Sequence, residues 1–195
     1  MRRHQMSNAM KVLTIVGTVR QGRNGRKVAD WYLSEAMKAA PDLDFELLDV
    51  AELALPLFNE ATPPLYHQYS STQTRIAEKI AAADAFVIIT GEYNHSIPGS
   101  LKNFLDFVAS EWNHKVAAFV GYGGTGAMRS IEHIIQVFNY LGVATIKDHI
   151  TINSVWEALD EKGVPKNGFL FGSIPEQLKE LTWWAYALKQ AREKH

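Results

Sequence analysis

Five short apolar runs, near residues 12–16, 45–48, 85–90, 116–120 and from 144 onward, recur along the chain with helical periodicity between them. This alternation constrains the fold more than any other feature. The run Ala85-Phe86-Val87-Ile88-Ile89-Thr90 lacks period-2 alternation, which suits a strand covered on both faces. Helices are expected over about 26–39, 72–83, 100–110 and 127–141, with a last one over 175–194. In the fourth, Met128, Ile131, Ile135 and Phe138 keep the spacing of one buried face.

Strand and helix in alternation imply a parallel sheet with helices on both sides, joined by right-handed crossovers. The expected architecture is α/β: a doubly wound, five-stranded parallel sheet in the flavodoxin-like order 2-1-3-4-5. In that order a ligand sits in the crevice between strands 1 and 3, so the loops after the first, third and fourth strands should converge. Residues 54–66 and 153–173 are irregular and longer than simple connections, each a candidate binding loop or interface. The last helix carries Leu178, Leu181, Trp183, Trp184, Tyr186 and Leu188, apolar over more of its circumference than one core face needs. That surplus points to a partner subunit.

A length of 195 residues suits one domain, expected over 10–195. Residues 1–9, with Ser7-Asn8-Ala9 before Met10, read as a tag or disordered leader. A formal charge of −1 gives no basic excess for nucleic acid. There is no cysteine, which rules out disulfides, thiolate catalysis and Cys-based metal centres. Any electrons this protein moves must travel on a bound cofactor. No apolar run is long enough for a membrane span and no signal segment is visible, so the expected location is the cytoplasm. His67, His95, His114, His133 and His149 show no ligand spacing, and no metal site is expected.

Three loops could carry chemistry. The first, Gly17-Thr18-Val19-Arg20-Gln21-Gly22-Arg23-Asn24-Gly25-Arg26, opens directly into a helix. A phosphate there would meet backbone N–H groups, a helix dipole, a hydroxyl and guanidinium groups. It has neither a Walker Lys-Ser/Thr pair nor a Gly-x-Gly-x-x-Gly spacing. On its residues alone, a solvated loop whose arginines balance charge fits it as well. The second runs Gly91-Glu92-Tyr93-Asn94-His95-Ser96-Ile97-Pro98-Gly99, an amide, a phenol and a carboxylate placed just after a buried strand. The competing reading makes Glu92 a solvated carboxylate and Tyr93 a packing residue. The third, Gly121-Tyr122-Gly123-Gly124-Thr125-Gly126-Ala127-Met128-Arg129, lets backbone approach a flat ring, although tight turns alone explain its glycines. Asp49, ending the second strand, reads as a loop or cap residue.

These loops resemble three motifs of the NAD(P)H-dependent FMN reductase family: Gly-Ser/Thr-x-Arg, Glu-Tyr-Asn-x-Ser-x-Pro-Gly-x-Leu-Lys-Asn, and Tyr-Gly-x-x-Gly-Gly-x-Arg. The chain departs from them at Gly91 (usually Pro), Phe107 (usually Trp) and Ala127 (usually Gly), and the resemblance runs from Met10 to Leu188. It implies FMN as cofactor, NADPH or NADH as co-substrate, and a small acceptor such as a flavin, quinone, azo compound or metal oxyanion. By the same resemblance Thr18 and Arg20 hold the FMN phosphate, with further contacts from Arg23, Asn24 and Gly25. Glu92, Tyr93 and Asn94 contact the flavin ring, with the Gly123 and Gly124 backbone beside it. Homodimers or homotetramers are implied, and no catalytic side chain is named. Two rivals stay open: a flavin-binding electron carrier or regulator without turnover, and a flavin-free enzyme using the crevice for another phosphorylated ligand.

Overall fold

The computed structural model describes residues 9–194, so the leader expected over residues 1–9 lies, apart from Ala9, outside the described residues. The strands β1 (Lys11–Val16), β2 (Asp44–Asp49), β3 (Ala85–Thr90), β4 (Val116–Tyr122), β5 (Ala144–Thr145), β6 (Ile150–Ile152) and β7 (Leu170–Phe171) form one seven-stranded sheet. Its order is β2-β1-β3-β4-β6-β7, with β5 also on β4. All pairings are parallel except β6 with β7. The helices are α1 (Gly25–Ala39), α2 (Ser71–Ala82), α3 (Gly99–Leu105), α4 (Met128–Tyr140), α5 (Val155–Ala158) and α6 (Ile174–Lys194).

Residues of the central strands send successive side chains to opposite faces, and each face has its own core. Val12, Val16, Val87, Ile89 and Val120 pack with Val28 and Tyr32 of α1 and Leu178 and Leu181 of α6. Leu13, Ile15, Phe86, Ile88 and Phe119 pack with Ile76 and Ile80 of α2, Leu101 and Phe104 of α3, and Ile131, Ile134 and Phe138 of α4. β3 and β4 are buried along their whole length. A strand with no polar face can be satisfied only inside such a sandwich.

The fifth position of the sheet is split. β5 pairs with Val116 and Ala117, β6 with Val120 to Tyr122, and the chain leaves the ladder between them. Gln177 of α6, wholly buried, fills the gap: its Nε2 donates to the Phe119 carbonyl at 3.0 Å and to the Asp148 carbonyl at 2.8 Å. Its Oε1 accepts from the Tyr32 hydroxyl at 2.8 Å. A side chain thus replaces the missing ladder bond, as a buried carbonyl requires.

The sheet has seven strands and an antiparallel β7 where five parallel strands were expected, and two helices also differ from expectation. α3 ends at Leu105 rather than 110, because Phe107 and Val108 both turn into the core and the Phe107 carbonyl is taken by Gln73 Nε2 at 2.9 Å. On α4 the buried apolar face is Ile131, Ile134 and Phe138; Ile135 is only partly buried and Met128 is 40% exposed. No helix among the described residues is long and apolar enough to cross a membrane.

Candidate functional site

The loops after β1, β3 and β4 meet at the carboxyl ends of their strands, where open α/β sheets bind ligands. They are tied to one another. The Gly17 N–H donates to the Ile89 carbonyl at 3.0 Å, and Ser100 Oγ at the start of α3 donates to the Gly17 carbonyl at 2.7 Å. The hydroxyls of Thr18 and Tyr122 lie 2.8 Å apart, both buried. A Cβ at Gly25 would fall 2.5 Å from Thr18 Oγ1 and 2.7 Å from the Tyr122 hydroxyl. Only glycine lets α1 begin against that pair.

Arg20, Arg23, Asn24, Glu92, Tyr93 and Gly123 line a single crevice of about 160 Å³, together with Tyr122, Val155 and Trp156. This is below the roughly 300 Å³ that encloses a small organic ligand, so a ligand gripped here stays open on one side. The other four expected residues sit elsewhere. Thr18 is completely buried behind the crevice with its hydroxyl on Tyr122. Gly25 forms the contact just described. Asn94 is exposed in a tight turn, where Tyr93 and Ser96 exchange backbone hydrogen bonds and both Asn94 (φ 49°) and His95 (φ 71°) are left-handed. Gly124 is exposed, with the Trp156 ring 3.6 Å from where its Cβ would be.

The crevice has unused polar groups. Arg20 is exposed and touches only the Gln21 carbonyl, at 3.4 Å, with no carboxylate partner among the described residues. Arg23 gives one nitrogen to Asp49 at 2.5 Å, but its buried Nε has no partner among the described residues. Asp49 also accepts from the Ala51 N–H at 3.1 Å, so it is both a cap and the anchor of Arg23. Asn24 precedes α1 without capping it, and the first turn of α1 carries no acidic residue. The positive end of that helix is therefore open to an anion. Glu92 accepts from Arg129 Nε at 2.7 Å through Oε1, while Oε2 is buried without a partner among the described residues. Burial pushes the Tyr122 hydroxyl up to about 12, against the pull of its bond to Thr18, so it stays protonated near neutrality.

The sequence placed Tyr122 and Arg129 in the third-loop motif without giving either a role, and Trp156 in no motif. Trp156, 70% exposed, was signalled only by lying in the long excursion at 153–173, which the structure brings to the crevice mouth. The excursion at 54–66 instead borders a separate hollow of about 310 Å³ beside Val19, Ser100 and Asn103. A hollow of about 460 Å³ lies between α3 and α4, and one of about 240 Å³ at the opposite sheet edge; neither gathers residues from the three converging loops.

The family model for NADPH-dependent FMN reductase matches residues 10–157. The chain is 32% identical to an NAD(P)H-dependent FMN reductase of Pseudomonas aeruginosa, across 94% of this chain and 100% of that protein. It is 30% identical to a 2-hydroxy-1,4-benzoquinone reductase of a Burkholderia species, across 82% and 85%. Among solved structures, FerB from Paracoccus denitrificans, a flavoenzyme NAD(P)H:(acceptor) oxidoreductase, superposes with a TM-score of 0.63 at 25% identity, covering 96% of this chain and 99% of FerB.

Proposed function

The chain belongs to the NADPH-dependent FMN reductase family, and from that premise we propose that its crevice is the FMN site and that electrons leave it for a quinone or a similar small oxidant. It is an oxidoreductase, and bound FMN supplies the redox chemistry. The side chains bind, orient and expose. Arg20 and the open start of α1, with Asn24 and the partnerless Nε of Arg23, anchor the phosphate. Glu92, Tyr93 and the Gly123 backbone border the ring; Asn94 and Gly124 support the turns on either side. Thr18 acts from behind, holding Tyr122 at the crevice wall.

What carries this reading is that three loops distant in sequence meet in one crevice with polar groups left unsatisfied on both sides of it, cationic donors at the α1 end and a carboxylate acceptor at Glu92. Buried groups of this kind are costly unless a ligand completes them. The quinone is favoured because the crevice is shallow and Trp156 and Tyr93 offer flat apolar surface at its mouth. We also propose a cytoplasmic homodimer or homotetramer, in which the exposed Trp183 and Tyr186 of α6 meet a second copy.

Titration of the apoprotein with FMN should give saturable fluorescence quenching. The loaded protein should then oxidise NADPH or NADH far faster with a benzoquinone present than without it. Saturable FMN binding without turnover by either nicotinamide would select the carrier reading, and absence of binding would remove the site. Light scattering after size exclusion measures the oligomer.

A further inference from the structure

The second loop is held from one side by a single helix. Arg129 and His133 of α4 reach back to it and Ser130 to the strand end before it: Arg129 Nε to Glu92 Oε1 at 2.7 Å, His133 Nδ1 to Ser96 Oγ at 2.8 Å, and Ser130 Oγ to Thr90 Oγ1 at 3.1 Å. Arg129 and His133 are four residues apart, so they share a helix face. Glu92 and Ser96 flank the tight turn in which Asn94 and His95 are left-handed. The two bonds therefore hold the turn at both ends. α4 itself is fixed by Ile131, Ile134 and Phe138, all fully buried, so it is a rigid support for an otherwise exposed loop.

Glu92 is the informative member. Its side chain is 12% exposed, one oxygen is neutralised by Arg129, and the other is a buried acceptor with no partner among the described residues. A carboxylate fixed in this way is a ready acceptor for an N–H or O–H group of a ligand in the crevice it lines.

We propose that Arg129 and His133 are positioning residues for the cofactor: they pin the Glu92–Ser96 turn, and Arg129 holds Glu92 so that its Oε2 accepts a hydrogen bond from the flavin. This rests on the crevice being the FMN site. The ion pair also sets the charge near the ring. With both partners present it is neutral; without Arg129 a negative charge remains, and without the Glu92 charge a positive one does. Electrons arriving on a flavin are opposed by the first and favoured by the second. Loss of packing alone would not give opposite signs.

The test uses the full chain, with FMN and riboflavin as probes, and reads dissociation constants by fluorescence quenching and the midpoint potential of the bound flavin. Arg129→Met should weaken FMN and riboflavin alike, by tenfold or more, and lower the ratio of affinities for reduced over oxidised FMN by threefold or more. Glu92→Gln should raise that ratio. Arg129→Lys should restore both quantities to within about threefold of wild type. Ser96→Ala and His133→Phe should each weaken binding about threefold, and the double variant no more than either alone. Shifts of the same sign in Arg129→Met and Glu92→Gln, or unchanged affinity and potential in both, overturn the proposal. Should Arg129→Met fail to fold, the opposed pair becomes Glu92→Gln against Arg129→Gln. Failure of the wild type to bind FMN is a separate outcome, which removes the site reading beneath the proposal.

Discussion

Where the strands begin, Asp84 accepts from the Lys11 N–H at 3.1 Å, from Lys189 at 2.8 Å and from Arg192 at 3.1 Å. Beside it Lys115 donates to the carbonyls of Ile80 and Ala81 at the end of α2, at 2.5 and 3.0 Å, and Arg192 donates to the His114 carbonyl at 2.6 Å. Where the strands end, charge is gathered as densely but left incomplete: among the described residues Arg20 has no carboxylate, and Arg23 Nε and Glu92 Oε2 have no partner. A closed network spends its charges on the fold, here fastening the last turns of α6 under the sheet. An open one keeps them for a ligand. The two ends should therefore respond oppositely to substitution.

The largest expected effect is at the closed end. Asp84→Ala removes the acceptor common to two cations that are each only about a fifth exposed. It should cost about 3 kcal/mol of folding stability, the low end for a broken buried pair because both cations reach some solvent. Urea denaturation measures this, and FMN affinity extrapolated to the folded protein should not change. A large loss of FMN affinity in the folded variant would break the contrast.

Lys115 sharpens the same end through pH. Burial, helped by repulsion from Arg192, lowers its amine from 10.5 to about 8. Between those values the unfolded chain binds the extra proton and the folded chain does not, so stability from this group rises as pH rises from 8 to 10.5. The gain should be about 2 to 3 kcal/mol. The difference in unfolding free energy between wild type and Lys115→Met, followed across this window, isolates it from the other titrating groups.

At the open end, Arg20→Ala should leave stability within about 0.5 kcal/mol, since Arg20 is exposed and bonds only a neighbouring carbonyl. FMN binding should weaken by about 2 kcal/mol, the worth of a charge-assisted contact. Riboflavin, which lacks the phosphate, should bind the variant and the wild type equally. Equal losses for both ligands would move Arg20 away from the phosphate.

Much of this division was legible in the sequence. β3 and β4 stand out as unbroken apolar runs, and the loops after β1, β3 and β4 carry Arg20, Arg23, Asn24, Glu92, Tyr93 and Gly123, the six of the ten expected site residues that line the crevice. What was not legible depends on partners far along the chain. The break in the fifth strand needs Gln177, whose contact to Phe119 spans 58 residues. Which of Ile134 and Ile135 faces inward is set by the neighbours of α4, since both fit a helical stripe. Nothing local to Thr18 says that its hydroxyl turns inward to Tyr122, and nothing local to Trp156 says that its excursion folds back over Gly124.

Tyr122 lies between the two kinds of network. It lines the crevice, yet its hydroxyl is already satisfied by Thr18, itself wholly buried. If it belongs with the closed groups, Tyr122→Phe leaves Thr18 Oγ1 without its partner and costs about 1 kcal/mol of stability, with FMN affinity nearly constant. If the hydroxyl also serves the ligand, affinity falls as well, and equally for riboflavin because Arg20 still holds the phosphate. We expect the first result, because a hydroxyl in a mutual bond at 2.8 Å with a fully enclosed threonine has its donor or acceptor role already fixed. Removing the orphaned hydroxyl as well should then recover stability: Tyr122→Phe combined with Thr18→Val removes both hydroxyls and should recover part of the loss, as deleting both partners of a buried bond costs less than deleting one.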